Sequence, residues 1–483
     1  MIWQIIILVL YVVSLSVILL FSVGQACLIY FYLKSKKETQ KTLSIPKELP
    51  LITVQLPLFN ELYVTERLIN AVCDLSYPKD KLEIQVLDDS TDESFTLAQK
   101  LVLQKKALGF SIEHISREKN IGFKAGALQN GLNKAKGELI AIFDADFLPK
   151  KDFLQQLIPY FANPKIGMVQ SRWGHINKDF SVLTQVQGFG LDGHFTVEQQ
   201  GRNSANLFMN FNGTAGIWRK QCVEEAGGWQ HDTLTEDLDL SYRAQLKGWD
   251  FKYVEHITTP AELPVELNAF KSQQHRWTKG AIETSKKMIF RVWQADIALK
   301  RKVFASLHLL NSYAFFFIFL ASILSVPVLI IKNNTQIPEV YFQCLSVFIV
   351  GFLIVALFYW VASFSKNKPY GSFLKLFPMF LSVSLALSFH NSIAVLEGVF
   401  NFKSDFIRTP KFNIQNLKDG FKGNIYVQQQ LSKSFYAELF LCLYFLLGII
   451  SAFYYRDFGL LPFHVMLFTG FCVLNFYSLK SVW

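Results

Sequence analysis

Long apolar runs at the two ends of the chain restrict its fold more than any other feature of the sequence. Residues 2–32 carry no charged side chain, and apolar residues dominate again after residue 303. About 20 apolar residues in a helix cross a bilayer core, so the first run predicts a transmembrane helix. The stretch between the two ends has ordinary polar content and predicts a water-facing domain. The predicted segments are a transmembrane helix at 1–33, a linker at 34–50, the water-facing domain at 51–300 and a membrane region at 301–483.

The basic residues indicate which side of the membrane this domain faces. Lys34, Lys36 and Lys37 directly follow the first apolar run, and such clusters favour the cytoplasmic side of a bilayer. We therefore expect a multi-pass protein of the cell (inner or plasma) membrane, with its central domain in the cytoplasm. Lys and Arg together number 48, against 38 for Asp and Glu. This excess flanks the apolar runs and is not interleaved with aromatic residues on one domain, which argues against nucleic-acid binding.

The segment 372–400 makes the number of membrane crossings ambiguous. The loop before it, 365–371, and the loop after it, 401–435, are both basic and should both be cytoplasmic. These two expectations conflict if the segment crosses the membrane once. We expect 372–400 to lie along the inner interface or to re-enter it, with a sixth span as the alternative. The clearer spans are predicted at 306–331, 340–364, 436–454 and 459–479.

Strands and helices alternate through the first part of the central domain. This alternation predicts a mostly parallel sheet with helices on both faces. Ligands bind such sheets just outside the carboxyl ends of the strands. The predicted strands are Ile52–Leu56, Glu83–Leu87, Ser111–Ile115 and Glu138–Phe143, and the predicted helices are Glu61–Leu75, Asp92–Leu108 and Lys124–Ala135.

Polar side chains follow three of these strands, so they should meet at one edge of the sheet. Asp144 and Asp146 are two residues apart, and carboxylates so close repel each other unless a cation lies beside them. Mg²⁺ or Mn²⁺ suits this role, since Mg²⁺ binds one or two carboxylates together with substrate phosphates. A lone Asp-X-Asp is common in surface turns, but here it aligns with two other polar turns. The candidate residues are Pro57, Asn60 and Glu61 after the first strand, Asp88 and Asp89 after the second, and Asp144 and Asp146 after the fourth.

Two further positions could act on a phosphate or on a hydroxyl group. Lys124 is expected at a helix start, where a cation and the helix N-terminus together attract phosphate; the alternative is a solvated surface lysine. Thr235, Glu236 and Asp237 precede a periodic apolar run and are typical of a helix N-terminus. The Asp237 carboxylate could in addition accept the proton of an attacking hydroxyl group. Spacing alone does not separate these two roles.

The stretch Gln273–Trp277 combines an amide, a guanidinium and an indole. On a helix, Gln273, Arg276 and Trp277 lie on adjoining turns and are neighbours. An Arg can bind a diphosphate through two hydrogen bonds, and an aromatic face can bind a sugar ring. The alternative is a Trp–Arg pair at the edge of the bilayer.

Taken together, these residues resemble the family 2 glycosyltransferases of the cellulose synthase-like type. The stretches 54–61, 85–92 and 212–216 are most similar to the plant mannan synthase and xyloglucan-backbone glucan synthase branch. Ala127 stands where bacterial cellulose synthases usually carry Asn. The resemblance implies an α/β nucleotide-sugar-binding glycosyltransferase domain, mostly parallel and Rossmann-like, inserted between transmembrane α-helices. The family order D, DxD, TED and QxxRW corresponds to Asp88/Asp89, Asp144/Asp146, Glu236/Asp237 and Gln273/Arg276/Trp277.

The resemblance also implies a role for each motif. Asp237, next to Glu236, would be the catalytic base, and Asp144 and Asp146 would bind the metal. The segment Phe406–Lys411 resembles the gating loop of cellulose synthases, although Arg408 replaces the family's Val. The acceptor end and the diphosphate would be held by Gln273, Arg276 and Trp277. The donor would be bound by Pro57, Asn60, Glu61, Asp88, Asp89, Lys124, Asp144, Thr409 and Lys411.

The implied activity is inverting transfer of a hexose from a nucleotide sugar, GDP-mannose or UDP-glucose, to a growing β-linked polysaccharide, with export across the membrane. One alternative is transfer of a single hexose to a membrane lipid. A second alternative, a non-catalytic transporter or scaffold, predicts acidic residues inside the spans, and these are scarce. The expected partners are the nucleotide sugar, a glycan or lipid acceptor, the membrane, and helper or oligomeric partners. The donor sugar, the acceptor and the oligomeric state stay open at this point.

Overall fold

The central region folds around one seven-stranded sheet. The computed structural model describes residues 2–37, 46, 48–365, 370–402, 408–416, 419–420, 423–427, 431–432 and 434–480. The strands are β1 (Ile52–Leu58), β2 (Leu82–Asp88), β3 (Ser111–Ile115), β4 (Leu139–Ile142), β5 (Ile166–His175), β6 (Gly216–Arg219) and β7 (Asp250–Ala261). Their order across the sheet is β3-β2-β1-β4-β6-β5-β7. Only β6 among them runs antiparallel to its neighbours, so the predicted mostly parallel sheet is confirmed.

Helices cover this sheet and form the membrane region. Those of the central region are α2 (Thr65–Cys73), α3 (Glu93–Ala107), α4 (Phe123–Lys134), α5 (Phe153–Leu157), α6 (Val182–Gly193), α7 (Gln199–Ser204), α8 (Lys220–Glu225), α9 (Glu236–Leu246) and α10 (Leu267–Gln294). They follow α1 (Ile2–Ser35) and precede α11 (Leu299–Leu309), α12 (Ala314–Asn334), α13 (Glu339–Leu345), α14 (Ile349–Phe364), α15 (Tyr370–Val399), α16 (Phe435–Tyr455) and α17 (Leu461–Lys480).

Two apolar cores lie on opposite faces of the sheet. Helices α2, α3 and α5 pack on one face, through residues such as Leu68 and Leu101. Helices α4, α8 and α9 pack on the other face, through residues such as Leu128 and Leu240. Parallel strands need apolar residues on both faces when helices cover both, and every residue of β2 is buried. The double covering leaves the carboxyl ends of the strands as the accessible edge.

Six helices of the described residues are long and apolar enough to cross a membrane. Helix α1 packs along α12, and the Tyr341 hydroxyl, in α13 just after α12, donates to the Leu8 carbonyl oxygen at 2.9 Å. At the other end of α1, Lys36 forms an ion pair with Glu255 of β7 at 2.9 Å. The first predicted span therefore joins the sheet directly. The six helices are Ile2–Ser35, Asn311–Asn334, Glu339–Phe364, Tyr370–Val399, Phe435–Tyr455 and Leu461–Lys480.

Both ends of α15 adjoin elements of the central domain. Near its start, Phe380 packs against Gly190 of α6. Near its end, the Ser392 hydroxyl donates to the Phe315 carbonyl oxygen at the beginning of α12 (3.0 Å), and Gly398 packs against Ile282 of α10. The helix over the ambiguous segment thus runs beside α6, α10 and the first turn of α12.

Helices α15 and α17 approach closely at a glycine. A Cβ atom at Gly470 would overlap the Ser382 carbonyl oxygen. We expect Gly470→Ala to destabilise the protein by about 1–3 kcal/mol, because two packed backbones must move apart. Thermal unfolding in detergent checks this. The matched control is Gly371→Ala, also in a helix but with no atom within 4 Å of the added Cβ, and equal melting temperatures for both variants would refute the expectation.

Candidate active site

The acidic turns meet at the carboxyl edge of the sheet, as the sequence predicts. Strands β2, β1 and β4 are neighbours, and their ends carry Asp88, Glu61 and Asp144. Because β4 ends at Ile142, Asp144 and Asp146 lie in the following turn and not on a strand. A hydrogen bond from the Asp144 backbone N–H to the Thr214 hydroxyl (2.8 Å) fixes this turn.

Lys124 joins three separate segments of the chain. It lies in the first turn of α4, directly after Phe123, which has a φ of 47°. Its ammonium group contacts Asp144 at 2.5 Å and Glu236 at 3.9 Å, and it donates to the Gly213 carbonyl oxygen at 2.9 Å. Burial alone would lower the pKa of Lys124, but Asp144 and Glu236 outweigh it and hold the pKa above its usual value. Lys124 therefore belongs to the acidic cluster and is not a solvated surface residue.

Asp237 lies beside this lysine at the start of α9. One carboxylate oxygen accepts the backbone N–H of Leu238 at 2.8 Å, while the other faces Gly213. Burial and the adjacent Glu236 together raise the pKa of Asp237 to about 7 against the opposing effect of Lys124. The carboxyl group therefore changes its charge near neutral pH, which suits a group that accepts a proton.

A segment from the far end of the chain lies across the cluster. Lys411 contacts Asp146 at 2.7 Å and donates to the Glu262 carbonyl oxygen at 3.0 Å. Arg408 contacts Glu61 at 2.9 Å. Burial raises the pKa of Glu61 to about 7 although Arg408 and Lys411 oppose it. Thr409 lies buried between these two contacts, so the segment 408–411 lies across the acidic edge. Phe406 and Ile407 lie outside the described residues.

Helix α10 brings Arg276 of the predicted Gln/Arg/Trp group to the same place. Burial lowers the pKa of Arg276, while Glu236, Asp144, Asp237 and Asp146 act on it in the opposite direction. The guanidinium thus lies within the field of all four carboxylates. Gln273 and Trp277 are half-buried on the same helix. One cluster therefore contains the residues that the sequence predicts for base and metal, together with Arg276 of the predicted diphosphate group.

The carboxylates of Asp88 and Asp89, after β2, already have hydrogen-bond partners within the protein. Asp88 is buried, and its two oxygens accept from Ser90 N–H (2.9 Å) and contact His114 Nε2 (2.9 Å). Asp89 forms two hydrogen bonds with the Arg117 guanidinium, the longer one at 3.0 Å. Of these two aspartates, Asp89 is the more exposed and therefore the more accessible to a ligand.

Pro57 and Asn60 complete this rim. Pro57 lies in β1 opposite Leu87 of β2 and is half-buried. Asn60 has a φ of 56°, and its backbone N–H donates to the Ser90 hydroxyl at 2.8 Å. This geometry links the end of β1 to the loop after β2.

Several residues that shape the site have no motif in the sequence. Glu262, after β7, accepts the Phe412 backbone N–H at 2.9 Å and pairs with Arg67 of α2 at 3.3 Å. Tyr426 donates to Asp92, and the Arg408 guanidinium lies 4.4 Å from the centre of its ring. Arg67 and Glu262 are 195 positions apart and Asp92 and Tyr426 are 334 apart, so only the fold brings them together.

The Asp144/Asp146 pair suits a divalent cation that has further ligands. Each carboxylate contacts a lysine, and the described residues contain no group of three or more His, Cys, Asp and Glu that could hold a metal ion. Mg²⁺ and similar ions use one or two carboxylates plus substrate phosphates. The residues fit such an ion when a diphosphate supplies the missing oxygens.

Comparison with known proteins identifies the central domain. Residues 50–280 match the family model described as glycosyltransferase like family 2. Glucomannan 4-beta-mannosyltransferase 2 of Arabidopsis thaliana is 43% identical over 275 residues, covering 56% of this chain and 50% of that protein. Glucomannan 4-beta-mannosyltransferase 1 of Cyamopsis tetragonoloba is 42% identical over 294 residues, covering 59% and 55%. The chain thus spans roughly half to two thirds of the length of the curated relatives it matches.

A solved structure shares the fold. The mannosyltransferase PcManGT from Pyrobaculum calidifontis, in complex with GDP-Man and Mn²⁺, aligns with a TM-score of 0.55 at 18% sequence identity. The alignment covers 82% of this chain and 100% of that one.

Lys411 contacts the Asp146 carboxylate that the predicted divalent cation would need. We expect Lys411→Met to raise the affinity for Mn²⁺, measured by electron paramagnetic resonance without nucleotide, by about tenfold or more. Two unit charges even 4 Å apart attract by roughly 4 kcal/mol at an effective dielectric of 20, and this pair is closer, so the loss of the ammonium group should be measurable. The control is Lys100→Met at an exposed position of α3. Unchanged binding in Lys411→Met would exclude competition between Lys411 and the cation.

Proposed function

We propose that this chain, which belongs to glycosyltransferase family 2 of the cellulose synthase-like type, transfers mannose from GDP-mannose to a growing β-linked polysaccharide at a membrane. The observation that carries the proposal is Lys124, which ties Asp144 of the predicted metal site to Glu236 beside the predicted base. The identity of 43% to a glucomannan 4-beta-mannosyltransferase supports mannose over glucose.

Asp237 accepts the proton in the proposed reaction. An acceptor hydroxyl attacks the anomeric carbon of the α-linked donor from the face opposite the diphosphate. Its O–H proton passes to the Asp237 carboxylate as the new C–O bond forms and the bond to the diphosphate breaks. The product is β-linked and the leaving group is GDP. A carboxyl group with a pKa near 7 is half-deprotonated at neutral pH and is suited to this step.

The leaving diphosphate needs positive charge around it. Asp144 and Asp146 would hold Mg²⁺ or Mn²⁺, which neutralises charge on the phosphate oxygens when bound. Arg276 lies within the field of the same carboxylates and can donate two parallel hydrogen bonds to a phosphate. Lys411 leaves Asp146 for the phosphates when the donor arrives, so that 408–411 closes over the bound nucleotide.

We also propose five membrane crossings, with α15 along the inner interface and the catalytic domain in the cytoplasm of the cell membrane. The contacts of α15 with α6 and α10 support this arrangement. So does the contact between Lys411, which follows α15, and Asp146 of the domain. A cysteine placed at Gln415 should react with a membrane-impermeant thiol reagent only from the cytoplasmic side, and labelling from outside would refute the arrangement.

The activity test compares two donors and sizes the product. Membranes containing the protein should incorporate radiolabel from GDP-mannose into a polymer that an endo-β-mannanase degrades, and incorporate less from UDP-glucose. Asp237→Asn should lower transfer about 10²–10⁴-fold while GDP binding persists. Label confined to an organic-solvent extract would indicate the single transfer to a lipid instead.

The pH dependence of transfer should report Asp237. Because its active form is the deprotonated one, kcat should fall as the pH drops below about 7. Glu236→Gln removes a negative charge that raises the pKa of Asp237, so the acidic limb of the profile should move to lower pH. Asp232→Asn, at an exposed position of the same loop, should leave the limb in place. An unmoved limb in Glu236→Gln would remove Asp237 from this role.

Gly213 leaves room for Asp237 and Lys124. It has a φ of 80°, and an added Cβ would lie 3.0 Å from an Asp237 oxygen and 3.4 Å from the Lys124 nitrogen. Gly248 has a φ of 93° with nothing within 4 Å. Both alanine variants should lose about 1–2 kcal/mol of stability through the left-handed backbone. Only Gly213→Ala should also lose transfer, by about tenfold, and equal kcat values would contradict this.

A further inference from the structure

Helix α10 has two faces with different partners. Successive residues of an α-helix are rotated by about 100°, so Lys271, His275, Lys279 and Lys286 fall within one narrow sector. Arg276 and Gly280 lie about 140° and 180° around the helix from Lys271, on the adjoining sector. The first group faces α15 and α16, and the second faces the acidic cluster.

The cluster-facing side holds the loop that carries the proposed base. Gly280 packs against Thr235, and the Thr284 and Thr235 hydroxyls are 3.1 Å apart. The Glu283 carboxylate accepts the Leu234 backbone N–H at 2.9 Å. Any shift or rotation of α10 therefore moves Asp237, which follows Thr235 by two residues.

The other side is fixed by a buried ion pair with a membrane helix. The Lys271 ammonium contacts both oxygens of Glu438 in the first turn of α16, at 2.6 and 2.8 Å. The two side chains are 4% and 1% exposed. The Ser434 hydroxyl donates to Glu438 at 2.7 Å, and His390 of α15 contacts the Lys271 carbonyl oxygen at 3.0 Å. Every contact of this group is directional.

Further along the same face, cations of α10 hold the end of α15. His275 contacts Glu397 at 2.9 Å, and Lys279 contacts the same carboxylate at 3.6 Å. Lys286 donates to the carbonyl oxygens of Gly398 and Val399 at 3.1 and 2.8 Å. These carbonyls have no partner within α15 because the helix ends there. The ion pair with α16 is the more buried of the two attachments.

We propose that Lys271 and Glu438 are positioning residues for the transfer reaction. Their pair sets the rotation and the axial position of α10, which in turn places Arg276 and the loop of Asp237 against the donor. A buried ion pair contributes little net stability compared with apolar residues of the same size, since its desolvation opposes its attraction. Apolar residues would not reproduce the directional contacts by which the pair fixes the position of α10. The proposal rests on the transferase function proposed above.

The decisive variant removes both charges together. Lys271→Met with Glu438→Leu should keep the melting temperature close to that of the unchanged protein, because no buried charge is left alone. We expect kcat to fall about tenfold with the KM for GDP-mannose unchanged. Each single variant should lose stability as well. The charge exchange Lys271→Glu with Glu438→Lys should recover part of kcat.

The matched control is another ion pair between a membrane helix and the domain. Lys36, directly after α1, contacts Glu255 of β7 at 2.9 Å, and neither residue lies on α10. Lys36→Met with Glu255→Leu should leave kcat unchanged. A tenfold loss of kcat in this control as well would show that any ion pair between a membrane helix and the domain affects transfer. That result would overturn the specific role of Lys271 and Glu438.

A second readout does not need the donor. In full-length protein, Thr235→Cys with Thr284→Cys places two thiols where the hydroxyls are 3.1 Å apart, and copper phenanthroline should oxidise them to a disulfide identified by peptide mass. Adding Lys271→Met and Glu438→Leu should slow this reaction about fivefold. Unchanged rates together with unchanged kcat would overturn the positioning role. If the unchanged protein transfers no sugar, the function fails, and the disulfide rate alone still decides the position of α10.

Discussion

The mutual repulsion of buried carboxylates is the constraint on which the site depends. Asp144, Asp146, Glu236 and Asp237 lie close enough to act on the same guanidinium, that of Arg276. Such a group is stable only when cations from elsewhere lie among its members. Lys124 of α4 and Lys411 of the distant segment supply two of these. The same charges that make the cluster tolerable without a ligand are suited to hold a diphosphate.

This requirement explains why the site draws on so much of the chain. Its cations come from α4, from α10 and from the segment after α15, and each is attached to a different part of the structure. The membrane helices are therefore not a separate anchor. Glu438 of α16 and Glu397 of α15 both contact the helix that carries Arg276, so the apolar helices and the acidic edge are connected through α10.

The sequence predicts the mostly parallel sheet and the meeting of the acidic turns at its edge, because both follow local patterns. Apolar strands alternate with helices, and parallel strands must bring the turns at Glu61, Asp88 and Asp144 to one edge. Strand β4 ends one residue before the predicted limit, since the turn is fixed by Thr214 and not by strand pairing. The support around the motifs was not predictable in this way.

The residues around the motifs contact partners that lie 149 or more positions away in the chain, the separation of Lys411 and Glu262. These residues are Glu262, Arg67, Tyr426, Lys271 and Glu438. No periodicity or short motif marks such pairs. His114 near the end of β3 and Arg117 just after it are the partners of Asp88 and Asp89, and they could have been found by asking which side chains lie at the carboxyl end of β3. Long-range charge pairing is thus the part of the design that only the three-dimensional structure shows.

The left-handed backbone at Asn60 and Phe123 has a consequence for protein engineering. Non-glycine residues with positive φ cost of order 1–3 kcal/mol each and persist where the surroundings fix them. Both flank the acidic edge, one before Glu61 and one before Lys124. A search for heat-tolerant variants would therefore select glycine at Phe123, whereas at Asn60 glycine would remove the hydrogen bond that the side chain accepts from the Thr91 backbone N–H at 2.8 Å. The gain in stability would come with more mobile loops beside the acidic edge, and the more stable variant would have a lower turnover.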